Sequence, residues 1–255
     1  MRLSFLLLTA PLLLLVACGR TPATVEAPAP AALVAAPGTP PAVTDYLSAL
    51  AAVEKSTSPV SLEGLFDKAE AAQSALMEIS GEQAVLERYS AAEFTALQAQ
   101  LRGLVLHREL DIYAQPEPSF LLALAKAHGL PADVDFFTQY AATWGPDLVP
   151  IYLKLRPQPT PCVRFGEGRI APLYAAWKAF AAQHSTAYTR HAAQTLADLE
   201  EAVALGTCAC DGLESVRNEQ AAFLKQFPDA AKAPEITARR EQLARDPDVL
   251  PVNCR

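Results

Sequence analysis

Where the prolines fall constrains this chain more than any other feature. Of its 21 prolines, six lie within residues 22–41 and six more within residues 146–172. Proline holds φ at about −65° and carries no amide hydrogen, so neither stretch can form a helix interior or a central strand. Regular structure is left to the segments between and after them. There the apolar residues recur at helical spacing and strand signals are nearly absent, so the predicted class is all-α: a helical bundle or helix-hairpin array with one Pro-rich irregular excursion.

Cap signals and apolar stripes divide the body, residues 44–255, into helices. Thr44 is placed to cap a helix running through Ser56, and Ser61 a second that carries Leu62, Leu65, Phe66, Ala69 and Leu76 on one face. Ser90 with Glu93 makes a capping box, after which Phe94, Leu97, Leu101, Leu104 and Ile112 continue as one stripe. Residues 120–128 read as a short helix closed by Gly129. Pro131 opens another, lined by Phe137, Tyr140 and Trp144. Leu173, Trp177, Phe180, Tyr188, Leu196, Leu199 and Val203 share a stripe that predicts a single long helix over 171–205. Residues 213–227 and 235–245 close the chain as a helical pair.

The excursion, residues 145–170, is locally basic. Lys154, Arg156, Arg164 and Arg169 outnumber Asp147 and Glu167, in a chain whose formal net charge is −7. Its two β-favouring pieces leave room for a two-stranded ribbon. Tyr152, Arg156, Arg164 and Phe165 are residue types that anchor interfaces and form the candidate contact surface.

The N-terminus carries the strongest motif. Arg2 precedes an apolar stretch over residues 3–16, which has the length of a signal-peptide core and falls short of a bilayer span. It ends in Leu15-Val16-Ala17-Cys18-Gly19. This resembles the lipobox of bacterial lipoproteins. The resemblance implies a signal peptide at 1–17, a diacylglyceryl (palmitate-type) modification on Cys18, and cleavage before it. In that class an Asp after the Cys marks inner-membrane retention. Gly19 stands there instead, so the expected location is the outer membrane, facing the periplasm. Residues 18–43, rich in Pro and Ala, read as a tether too poor in apolar bulk to fold, held near polyproline II by its prolines.

With Cys18 committed to lipid, Cys162, Cys208, Cys210 and Cys254 remain. An even number in an oxidising compartment predicts two disulfides; a Cys208–Cys210 ring would be small and strained, so one of that pair takes Cys254 and the other Cys162, with the choice between them open. No HExxH, GxSxG, SxxK, GxGxxG or phosphate-loop motif occurs, so no enzyme class is indicated, and no catalytic residue, metal or cofactor is assigned. Glu214-Ser215 is similar to the Glu-Ser dipeptide of soluble lytic transglycosylases, whose Glu acts as the acid. Arg217-Asn218-Glu219 follows in place of that family's glycine-rich segment, so Glu214 reads as first-turn helix charge. His184 and His191 lie seven apart and His107 and Asp111 four apart, each pair short of a third metal ligand. Residues 222–243 look like one helix hairpin of tetratricopeptide-like envelope lipoproteins. The acidic balance disfavours nucleic acid. The expected role is a lipid-anchored, non-enzymatic module that binds or scaffolds an envelope protein. The alternative is an inhibitor or immunity protein against an envelope hydrolase, since an acidic body suits a basic enzyme cleft.

Overall fold

A computed structural model describes residues 39–80, 82–108, 112–144, 153–154, 162–163, 166, 168–205, 209 and 211–246. The signal peptide, Cys18 and most of the tether lie outside these residues. So do Tyr152, Arg156, Arg164 and Phe165, together with Cys208, Cys210 and Cys254. Cys162 is described in its backbone alone.

The described residues form an all-α body of nine α-helices: α1 Pro41–Glu54, α2 Glu63–Met77, α3 Ala91–Gln100, α4 Pro118–His128, α5 Pro131–Thr143, α6 Ile170–Gln183, α7 Thr189–Leu205, α8 Leu213–Gln226 and α9 Ala233–Arg245. Consecutive helices pack as pairs, α1 on α2, α4 on α5, α6 on α7 and α8 on α9, and α5 meets α6. This is the hairpin-array form of the predicted class. Three antiparallel ribbons accompany it: β1 Ile79–Ser80 with β2 Gln83–Ala84, β3 Leu104–Arg108 with β4 Ile112–Pro116, and β5 Leu153–Lys154 with β6 Cys162–Val163. The last is the ribbon expected within the excursion.

Several boundaries differ from expectation, each for a local reason. The body starts at Pro41, inside the expected tether, because proline fits the first turn of a helix, where its missing amide has no partner to lose. Val43 is then fully buried, and Thr44 lies within α1 instead of capping it. Ser61 stands one residue ahead of the cap position of α2, where its Oγ accepts the Glu63 amide at 3.4 Å. Leu62 takes the cap position and its amide donates to Asp133 Oδ1 at 2.9 Å. The Ser90–Glu93 box forms as read, but its helix stops at Gln100. Gly103 follows at φ +79°, where a Cβ would stand 2.5 Å from the Tyr46 hydroxyl. Only glycine turns the chain there, and Leu104 continues as strand. Leu101 and Leu104 are buried as expected, through a turn and a ribbon instead of one long helix.

The predicted helix over 171–205 is two helices. Residues 184–188 interrupt it, and Tyr188 adopts φ 54°, which costs a side-chain-bearing residue about 1 kcal/mol or more. Tyr188 is held there by its partners. Its amide donates to Glu63 at 2.9 Å and its hydroxyl to Asp133 Oδ1 at 2.6 Å, while its ring stacks on Phe136 at 3.8 Å. Trp177, Phe180, Tyr188, Leu199 and Val203 are all buried, so the stripe marks the core face although the helix breaks. That break turns α7 back toward α2.

Candidate functional site

The turn at Tyr188 brings the first turn of α7 against the polar side of α2. Asp67 and Glu70 sit three residues apart on α2, hence on one face. His191 and Arg190 meet them from α7. His191 Nε2 lies 2.9 Å from Asp67 Oδ1, and His191 Nδ1 lies 3.3 Å from Glu70 Oε1. Arg190 Nη2 is 2.6 Å from Asp67 Oδ1, 3.2 Å from Glu70 Oε2 and 3.2 Å from His191 Nε2. The imidazole is only 5% exposed and packs edge-on against Phe66 at 4.8 Å, whereas the guanidinium is 65% exposed.

Glu70, Arg190 and His191 of this cluster form one wall of a cleft of about 240 Å³. Phe66, Phe136, Tyr140 and Trp144 give it an aromatic side, and Gln115 of β4 with Gln194 and Asp198 of α7 add planar polar groups. Burial, with Glu70's charge nearby, pushes the Tyr140 phenol well above its ordinary range, so it stays protonated. Burial opposes ionisation of both acids, yet other interactions outweigh it. Hydrogen bonds from Arg190 and His191 hold the Asp67 carboxyl below its usual range, and His191 followed by Arg190 does the same for Glu70.

A pH dependence follows. Folded-state values below the unfolded ones mean that these carboxylates add stability above their unfolded pKa of about 4, and that this is lost as pH falls through the lower folded values. The melting-temperature gap between the parent chain and Asp67→Asn/Glu70→Gln, followed by circular dichroism in metal-free buffer, should therefore be widest above pH 5 and close toward pH 3. A gap independent of pH would refute the coupling.

No known family, curated protein or solved structure matches this chain.

Among the residues singled out from sequence, His184 and His191 are separated by the helix break. His184 caps α6 and pairs with Asp135 at 2.9 Å. The partners that His191 lacks in sequence come from α2, more than 120 residues earlier. The one advance signal was Asp67-x-x-Glu70 flanking the buried face of a helix. His107 stacks on Tyr113 at 4.4 Å, and its expected companion Asp111 lies outside the described residues. Glu214 stands in the first turn of α8, 76% exposed and near Arg217, as helix-end charge should.

Proposed function

We propose that this chain is a lipid-anchored envelope lipoprotein, held at the outer membrane through acylated Cys18, whose helical body binds or scaffolds an envelope protein in the periplasm. The lipobox at residues 15–18 carries the reading. Two or three acyl chains, at about 0.8 kcal/mol per buried methylene, anchor stably where one would be marginal. The cleft supports a binding role. At about 240 Å³ it falls below the roughly 300–1,000 Å³ of typical small-molecule sites, and its aromatic side and charged wall suit one or two side chains of a protein partner. The basic excursion, with Tyr152, Arg156, Arg164 and Phe165, is the second proposed contact surface, and Cys162, Cys208, Cys210 and Cys254 pair as two disulfides in that compartment. The net charge of −7 favours one other reading, an inhibitor or immunity protein seated on a basic hydrolase cleft.

Cys18→Ala removes the thiol that accepts lipid. Cells fed an alkyne fatty acid should label the parent chain and not the variant, which should accumulate as uncleaved precursor. Label on the Ala variant would refute the anchor. Capture of a peptidoglycan hydrolase whose activity falls on binding would favour the inhibitor reading.

A further inference from the structure

We propose that Asp67, Glu70 and His191 form a binding site for one divalent transition-metal ion, zinc by the chemistry of its ligands, and that Arg190 Nη2 holds the ion's place in the metal-free protein. Two features of the geometry carry this.

First, three possible ligand atoms surround Arg190 Nη2: Asp67 Oδ1, Glu70 Oε2 and His191 Nε2, at 2.6, 3.2 and 3.2 Å, and one ligand atom from each residue lies within 4.8 Å of the others. Arg190 and His191 now share the two carboxylates as donors. A cation at the same point binds all three atoms once Nε2 gives up its proton. Zinc bonds to oxygen and imidazole nitrogen at about 2.0–2.2 Å, so the acceptors close in by about 1 Å or less. The Asp67 and Glu70 side chains, 50% and 37% exposed, have room to do so.

Second, both nitrogens of the buried His191 ring face carboxylate oxygens. A neutral imidazole has one N–H and leaves the other nitrogen as a lone pair. Metal binding displaces the Nε2 proton to solvent and leaves Nδ1–H on Glu70 Oε1, so the freed Nε2 lone pair faces the place where Nη2 now stands. Metal-bound histidines show this arrangement, the far N–H fixed on a carboxylate. The ring is already oriented by its packing on Phe66. Arg190, largely solvated, can swing outward. Replacing its single positive charge with a divalent ion neutralises the two acids more fully. Three protein ligands leave at least one coordination position for water or for a ligand donor atom.

The test uses the full chain, solubilised in detergent, stripped with EDTA and titrated with Zn2+ by calorimetry and with Co2+ by absorption. One ion per chain is expected, and a Co2+ spectrum without the intense sulfur-to-metal bands that a cysteine site would give. Asp67→Asn/Glu70→Gln should weaken Zn2+ binding at least tenfold while circular dichroism shows the fold retained. Arg190→Gln removes the competing charge and should tighten it several-fold. His191 is too buried to serve as the first variant. No binding by the folded chain, sulfur-type Co2+ bands, an affinity unchanged in the acid variant, or weaker binding in Arg190→Gln would each overturn the site and leave the cluster as an ion-pair network. None of these outcomes bears on the lipid anchor.

Discussion

Asp133→Ala should lower the melting temperature of the helical body by on the order of 10 °C. Asp133 is 1% exposed and its carboxylate joins three separate segments. Oδ1 accepts from the Leu62 amide at 2.9 Å and from the Tyr188 hydroxyl at 2.6 Å, and Oδ2 from the Leu130 amide at 2.6 Å. Alanine leaves two amides at helix starts and one buried hydroxyl without an acceptor. Breaking such a network costs about 3–5 kcal/mol, and a domain of this size loses roughly 2–4 °C per kcal/mol. Asp133→Asn keeps one acceptor oxygen but turns an amino group toward one of the donors, so an intermediate loss is expected. Scanning calorimetry of both variants checks the order. A shift below about 3 °C for alanine would show that water or repacking replaces the carboxylate.

Trp177→Ala is expected to do comparable damage by another route. Trp177 is fully buried, set edge-on against Phe136 at 5.5 Å and Phe180 at 5.8 Å, and its indole nitrogen donates to Thr143 Oγ1 at 2.9 Å. Truncation leaves a large void, for which about 3–5 kcal/mol is typical. The lost hydrogen bond adds little, because the Thr143 hydroxyl still donates to the Gln139 carbonyl at 2.8 Å. Trp177→Phe separates the two contributions. It restores most of the ring volume, so it should recover more than half of the loss, as read by far-ultraviolet circular dichroism. Equal melting temperatures for the Phe and Ala variants would assign the effect to the hydrogen bond.

What could be read in advance follows how local each cause is. The Ser90–Glu93 box and the opening of α5 at Pro131 are set by neighbours within a turn, and both form as expected. Buried faces were equally legible, because periodicity reports which side of a helix meets the core whatever that core turns out to be. Helix continuity was not. The stripe over 171–205 keeps its phase across residues 184–188, and Tyr188 itself favours no break. What holds it at positive φ are Glu63 and Asp133, respectively 125 and 55 residues away. The same distance hid the cleft. Asp67 and Glu70 read as ordinary helix-surface acids until the break at Tyr188 delivers His191 and Arg190 to them. Gly103 did carry a signal, a glycine just past an apolar stripe, which the run of leucines around it outweighed.

Glu219 of α8 is 2% exposed, and its Oε2 accepts the backbone amides of Gly166 at 2.7 Å and Gly168 at 3.4 Å, both glycines at positive φ. Among the described residues, the grip is on main chain alone. Two amides from residues without side chains help set where the chain re-enters α6, so the contact depends on backbone conformation there and on the one acid. A substitution at either glycine or at Glu219 acts on this entry point directly, because it changes a donor's backbone or the acceptor itself.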